Sequence, residues 1–219
     1  MTARRWPHVD DGTSMTARRW RSDTEGMDDA LALVRGQSAL VAFQGERGAY
    51  GHLAIEQLWA DRAMVRPCWS FDGVITSVRE GTASFGVLPV HNEIIGEIAG
   101  VSAAIALAAL EVIGHVRVEV RHCLLGAVGA PLEAVREAYS HAAALAQCAA
   151  FFSQHPAIAA CETYDTAGAA REVAARRRRT EAAIADEGCA QRYGLQVLAR
   201  DIGDRANNAT HFAVVRRGA

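Results

Sequence analysis

Short apolar runs alternate along this chain with longer amphipathic stretches. Leu40-Val41-Ala42-Phe43 is one such run, ended by Gly45, and predicts a buried strand. A glycine-rich turn follows from Gly45 to Gly51, and Leu53, Ile55, Leu58 and Trp59 then recur at helical spacing. Phe85 to Val90 predicts a second buried strand, with His91-Asn92-Glu93 at its C-terminal end. The apolar, Ala-rich stretch from Ala99 to Leu110 predicts a helix. Val116, Val118 and Val120 alternate with Arg117, Glu119 and Arg121, so this strand has one wet face, and it is placed to link two halves.

The second half repeats the rhythm. Val135 to Tyr139 predicts a strand, and Ser140 is a candidate cap for the helix after it, on which Leu145, Cys148, Ala149 and Phe152 share one face. Asp165 and Thr166 are candidate caps for a helix running to the basic patch Arg176–Arg179. Ala182 to Ala185 reads as a buried strand ending at Asp186, Leu195 to Leu198 as another, and Phe212 to Val215 as the last. Strands alternating with helices predict an α/β fold with mostly parallel sheets. No linker rich in Pro, Gly or Ser divides the chain, which predicts two closely apposed lobes. Ligands of such sheets bind beyond the carboxyl ends of strands. Four polar clusters fall there: Gly48 to His52, His91 to Glu93, Ser140-His141 and Asp165-Thr166.

Composition narrows the chemistry. With half of its 219 residues apolar and a net charge of −2, the chain has material for a sizeable core and no bias toward nucleic acid. Every basic residue is Arg, which excludes a Schiff-base lysine. The cysteines Cys68, Cys123, Cys148, Cys161 and Cys189 are scattered without a C-x-x-C and read as free thiols of a cytoplasmic protein. His52, His115, His141 and His155 show no metal-ligand spacing, so no metal is expected. Ser140-His141 lacks the elbow motif of a hydrolase and reads as a helix start. No apolar run approaches a membrane span, and no signal peptide is visible. MTARRW occurs at both Met1–Trp6 and Met15–Trp20, within the first 26 residues, which are expected to be a disordered leader; Met15 and Met27 are alternative starts.

Ordered motifs carry a family resemblance from about Leu40 to Val215. They are the turn Gly45 to His52, then Gly86 to Glu97, His122-Cys123-Leu124-Leu125, Ser140-His141 with Ala144 to Cys148, Tyr164 to Ala170, Tyr193 to Leu198, and Asn208-Ala209-Thr210-His211-Phe212. Together they resemble the prephenate dehydratase family. The resemblance implies an α/β, two-lobed fold like type II periplasmic binding proteins, with the site in the interlobe cleft. Residues 1–38 would be a leader and 39–219 the catalytic domain, with lobe 1 over about 39–118 plus the strand 208–216 and lobe 2 over about 119–207. It implies a carbon–oxygen lyase of L-phenylalanine biosynthesis that converts prephenate to phenylpyruvate without a cofactor, in the cytoplasm, as a homodimer or larger. The family often carries a C-terminal ACT domain that binds phenylalanine; the chain ends at Ala219, so feedback through that module is expected to be absent.

The family's key hydroxyl maps onto Thr210, expected to hydrogen-bond the leaving hydroxyl. Asn92 and Thr166 would orient substrate, and backbone N–H groups near Tyr50 and Thr166 would take carboxylates. Asn208, Ser140, Glu93, His211 and Phe212 complete the expected substrate-binding set. Several positions depart from the family pattern. His211 stands where the family has Arg, His91 replaces an acid, Glu93 and Glu97 replace serines, Val101 aligns with a Thr, and Ala49 and Gly51 align with Thr and Ser. Strand alternation puts His211 opposite Thr210, so His211 is read as a supporting change rather than a titratable group of the site. Glu93 is expected to pair with a cation in the cleft, His91 or Arg47; alternatively it accepts the ammonium of arogenate. The competing readings are an arogenate dehydratase, a non-aromatising prephenate decarboxylase, and a catalytically dead small-molecule-binding protein.

Overall fold

The computed structural model describes residue 32 and residues 34–218. The leader expected over residues 1–38 lies outside this range except for its end, where Val34 is buried in the core. The elements in chain order are β1 Ala39–Gln44, α1 Tyr50–Trp59, β2 Ala63–Cys68, α2 Phe71–Arg79, β3 Phe85–Asn92, β4 Gly96–Glu97, α3 Val101–Leu107 and β5 Leu110–Glu119. Then come β6 Cys123–Ala127, β7 Glu137–Ser140, α4 Ala142–Ala146, α5 Ala149–Gln154, β8 Ala159–Glu162, α6 Thr166–Arg176, β9 Glu181–Ala185, α7 Gly188–Tyr193, β10 Leu195–Ala199 and β11 Ala209–Arg217.

These strands form two sheets. One has the order β2-β1-β3-β11-β5, with β4 on β3; the other has the order β10-β6-β9-β7-β8. The chain passes from the first sheet to the second after β5 and returns after β10. Its last strand, β11, inserts antiparallel between β3 and β5. The two crossing segments are tied by Val120 N–H to the Asn208 carbonyl at 2.8 Å.

The expectation of mostly parallel sheets needs correcting. Pairings of β1 with β2 and β3, and of β7 with β8 and β9, are parallel. Those of β11 with β3 and β5, β3 with β4, and β6 with β9 and β10 are antiparallel. The cause is the returning strand, which runs against both neighbours, and a matching inversion at β6.

One hydrophobic cluster joins the sheets: Phe43, Ile55 and Trp59 from the first half share it with Ala169, Ala185 and Cys189 from the second. Separate clusters cover the outer faces, one around Val74, Leu88 and Ala213, the other around Leu124, Phe151 and Ile184. The glycine turn before α1 packs across the seam. Gly48 has φ +96°, and a Cβ there would lie 2.8 Å from Cys189 Sγ, so a side chain would force the halves apart. The same turn is bonded to the second half through Glu46 N–H to Asp165 Oδ2 at 2.9 Å and through the Tyr193 hydroxyl to the Arg47 carbonyl.

Three local expectations change. The helix expected from Ala99 to Leu110 is only Val101–Leu107, because Ala109 takes φ +52° and Leu110 already begins β5. The single helix expected after Ser140 is two short ones, α4 and α5, separated at Gln147-Cys148. His141, not Ser140, caps α4: its Nδ1 accepts from Ala143 N–H at 3.2 Å. Asp165 caps α6 as the sequence predicts, accepting from Gly168 N–H.

Candidate active site

A cleft of about 520 Å³ lies between the halves. Its walls come from the glycine turn and the start of α1 (Ala49, Tyr50, Gly51), the β2–α2 connection (Trp69, Ser70, Phe71), the β3–β11 pair (Val87, Pro89, Asn92, Thr210, Phe212), the crossing segment (Val120, His122) and the starts of α4 and α6 (His141, Asp165, Thr166). Two of the four polar clusters expected at strand ends, Gly48 to His52 and Asp165-Thr166, contribute to this lining through more than one residue, and Ser140-His141 contributes His141 alone. From the fourth, at the end of β3, Asn92 alone reaches it.

The reason is a β-bulge. Thr210 pairs with Asn92 and His211 with His91, but Phe212 pairs with Pro89, so Val90 is an extra residue on β3. Along a regular strand Val87, Pro89 and His91 would share one face. The bulge inverts the alternation after Pro89, and Asn92 joins Val87 and Pro89 on the cleft side. Pro89 has no N–H to give a ladder, which suits a bulged position in a central strand.

Asn92 is 4% exposed and organises the polar end of the cleft. Its Oδ1 accepts from Ile94 N–H at 3.0 Å and Ile95 N–H at 3.1 Å. Those two donors fix the amide orientation, so Nδ2 points the other way. It lies 2.9 Å from Thr210 Oγ1, 2.9 Å from Asn208 Oδ1 and 3.1 Å from the Ala209 carbonyl. Thr210 Oγ1 therefore accepts from Asn92, and its own hydrogen is left to donate into the cleft it lines.

The network continues away from Thr210. Asn208 Nδ2 donates to Gln147 Oε1 at 2.9 Å, and His122 Nε2 lies 2.9 Å from the same oxygen. His122 Nδ1 is 3.2 Å from the Tyr50 hydroxyl, which donates to the Arg121 carbonyl at 2.8 Å. Burial holds the His122 pKa below its ordinary value and pushes the Tyr50 phenol well above its own. A neutral His122 carries its proton on Nε2, toward Gln147. His122 and Gln147 lie in motifs visible in the sequence but were given no role there; their contacts come from segments about 25 residues apart, which no local spacing reveals.

Two helix starts face the cleft. The cap position of α1 is Ala49, with no side-chain bond and no acidic residue in its first turn. Asp165 at the start of α6 lines the cleft, and burial raises its carboxyl pKa against three backbone N–H groups that lower it. Helix N-termini present N–H groups and a positive dipole end, suited to carboxylates.

Of the expected residues, Thr210, Asn92, Thr166, Tyr50 and Phe212 line the cleft together. Asn208 stands behind Asn92 and borders a second, smaller cavity. Ser140 does not reach the cleft. It is fully buried at the end of β7, and its hydroxyl donates to the Ile184 carbonyl at 2.6 Å, so the substrate contact expected of it is replaced by a structural one. Glu93 and His211 lie on the other side of the strand pair. Glu93 takes both Arg117 Nε at 2.8 Å and Nη2 at 3.0 Å, and His211 Nε2 at 3.2 Å. The expected pair with His91 or Arg47 inside the cleft is thus a pair with Arg117 and His211 outside it. The physical cause is the bulge, which sends Glu93 past the cleft wall. The Arg117 bonds hold the Glu93 carboxyl below its ordinary pKa, followed by a smaller His211 contribution. The rings of His91 and His211 lie with centroids 5.9 Å apart and tilted by 58°, and Glu97 on β4 stands opposite His91 in the strand register.

Among the described residues, no group of three or more His, Cys, Asp or Glu side chains is arranged to hold a metal. The free cysteines Cys123, Cys148 and Cys189 are buried, with burial pushing the last two thiols up to about 12.

A model of the family described as prephenate dehydratase matches residues 41–219. The chain is 36% identical over 186 residues to arogenate dehydratase/prephenate dehydratase 2, chloroplastic, of Arabidopsis thaliana, covering 85% of this chain and 48% of that protein. It is 31% identical over 192 residues to the bifunctional chorismate mutase/prephenate dehydratase of Escherichia coli K12, covering 86% and 50%. The crystal structure of prephenate dehydratase from Arthrobacter aurescens in complex with L-Phe superposes with a TM-score of 0.73 at 29% identity, over 82% of this chain and 61% of that one. The chain spans about half the length of the curated relatives it matches.

Proposed function

The chain belongs to the prephenate dehydratase family, and from that premise we propose that it converts prephenate to phenylpyruvate in L-phenylalanine biosynthesis, as a carbon–oxygen lyase with Thr210 as its catalytic hydrogen-bond donor. The observation that carries this reading is the Thr210 hydroxyl, which accepts from Asn92 and keeps its hydrogen for the cleft.

Prephenate bears a carboxylate and a pyruvyl side chain on one ring carbon and a hydroxyl on the carbon opposite. The bond to the ring carboxylate breaks and its electron pair enters the ring. The C–O bond opposite then breaks, and the ring becomes aromatic. The dianion and one proton become phenylpyruvate monoanion, CO₂ and water. Negative charge grows on the departing oxygen, so a donor fixed toward it stabilises the transition state more than the ground state. Threonine is too weak an acid to give up its proton fully; it donates a hydrogen bond, and solvent completes the water. The hydrogen bond received from Asn92 polarises the hydroxyl and strengthens that donation. Backbone N–H groups at the starts of α1 and α6, near Tyr50 and Thr166, are suited to the two carboxylates, while Tyr50 and Phe212 flank the ring. The division into lobes over about 39–118 with 208–216 and about 119–207 belongs to this reading. So do a cytoplasmic location, consistent with five free cysteines, and a homodimer.

Arogenate is a second reading, and Asp165 favours it. With Glu93 outside the cleft, Asp165 is the one carboxylate among the described lining residues, which include no Arg. A buried carboxylate suits arogenate, whose ammonium replaces the prephenate ketone and lowers the net charge from −2 to −1. Turnover of the two substrates side by side, with products identified by NMR, tests both readings. Phenylpyruvate from prephenate supports the first, and phenylalanine formed faster from arogenate supports the second. A non-aromatic dihydro product would move the protein to the decarboxylases, and saturable binding without turnover would leave a binding protein.

A further inference from the structure

Trp69 is 80% exposed and yet lines the cleft. It sits on the short connection between β2 and α2, where Ser70 caps α2 by accepting from Gly73 N–H at 3.1 Å. Its backbone is therefore held, while its indole projects. The ring lies 5.5 Å from that of Tyr164 at an interplanar angle of 51°. Trp69 belongs to the first sheet's half and Tyr164 to the second's, so this aromatic contact spans the cleft. The two partners are held differently. The Tyr164 hydroxyl donates to Glu46 Oε1 at 3.2 Å and accepts from Arg171 Nη2 at 3.0 Å. Trp69 has the Tyr164 ring and otherwise faces solvent. Ile95, also on the lining, is 55% exposed. Two large apolar side chains thus stand uncovered at a cleft whose polar groups converge on Thr210 and Asn92.

Exposed apolar side chains gathered at one cleft, unlike ones scattered singly, mark a surface that a ligand can cover. A ligand with a polar end at Thr210 and a flat six-membered ring is a suitable cover. The dienyl ring would lie on the indole face, and each would cover apolar surface of the other. We propose that Trp69 is a specificity-determining residue that closes over the substrate ring, sets affinity for ring-bearing ligands and keeps water from the reacting carbons. This rests on the function proposed above.

The test uses steady-state kinetics on wild type, Trp69→Ala and Trp69→Phe, together with tryptophan emission of Thr210→Ala protein titrated with prephenate. Trp59 is fully buried, and subtracting the emission of the Thr210→Ala/Trp69→Phe protein isolates Trp69. The expected result is a KM raised about tenfold in Trp69→Ala, with kcat within about threefold and Trp69→Phe close to wild type, the loss expected of one buried apolar ring contact. Prephenate should also shift Trp69 emission to the blue and protect it from acrylamide. Wild-type turnover with an unchanged KM in Trp69→Ala, or with flat Trp69 emission, would overturn the proposal while the function stands. No turnover and no emission change would sink the function, and this proposal with it.

Discussion

Replacing Asn92 with aspartate changes one atom type and should reverse the direction of the Thr210 hydroxyl. In the native chain Nδ2 faces three acceptors, Thr210 Oγ1 and Asn208 Oδ1 at 2.9 Å each and the Ala209 carbonyl at 3.1 Å. In Asn92→Asp an anionic oxygen would take that place. Thr210 then gains by turning its hydrogen back toward the carboxylate, and the cleft loses its donor. Two donated bonds disappear, and Asn208 Oδ1 and the Ala209 carbonyl meet a like-charged oxygen in a buried setting. At about 1–3 kcal/mol for each buried group left without a partner, Asn92→Asp should lose about 2–5 kcal/mol of stability near pH 7. The loss should shrink on acidification, because a protonated carboxyl again has one hydrogen to donate. Losing one oriented donor costs about 100- to 1000-fold in kcat in comparable sites. Urea unfolding at two pH values and kcat with prephenate measure both effects. If Asn92→Asp kept kcat within about threefold of wild type, the reasoning about Thr210's orientation would be refuted.

Three further predictions follow from other parts of the molecule. Glu93→Ser removes the partly exposed pair with Arg117 and His211 outside the cleft, so thermal unfolding should shift by under about 1 kcal/mol and kcat/KM by less than about threefold; a hundredfold loss of kcat/KM would return Glu93 to the active site. His122 is buried with its pKa below 6.5, so the unfolded chain takes up its proton first as pH falls; the stability that neutral His122 contributes is complete above about pH 6.5 and declines below it, down through the folded pKa. The urea-midpoint gap between wild type and His122→Gln should therefore narrow from pH 7.5 to 5.5, and a constant gap would contradict the assignment. Gly48→Ala combines φ +96° with a Cβ 2.8 Å from Cys189 Sγ, and should cost about 1–3 kcal/mol in urea unfolding, whereas Gly36→Ala, with φ +106° and open space around it, should cost less.

The sequence is legible where burial is complete and local. β1, β9 and β11 are continuous apolar runs because both of their faces are covered, and α6 announces itself through Asp165 at its cap. The outer strands β2 and β8 escaped detection because they lie at sheet edges and carry mostly exposed or half-exposed residues, Arg66 and Pro67 among them, so no periodicity marks them. α2 has a clear cap in Ser70 and buried Val74, Ile75 and Val78, and its pattern was available but unread. The site is legible in its residue types, which converge as strand ends should. Its geometry is not, because one extra residue at Val90 decides which of His91, Asn92 and Glu93 faces the cleft. A period-two reading assigns the wrong member of that trio, and no composition rule signals the bulge beyond the proline beside it.

The central claim is that Thr210 donates to the leaving hydroxyl, and Thr210→Val tests it most directly. Valine keeps the shape and removes the hydroxyl, both the donor toward the cleft and the acceptor of the Asn92 bond, at a position that is largely buried. Prephenate turnover followed by NMR should show phenylpyruvate from wild type and a kcat lowered about 100- to 1000-fold in Thr210→Val, with KM changed far less. Equal kcat in the two proteins, with phenylpyruvate formed by both, would contradict the account.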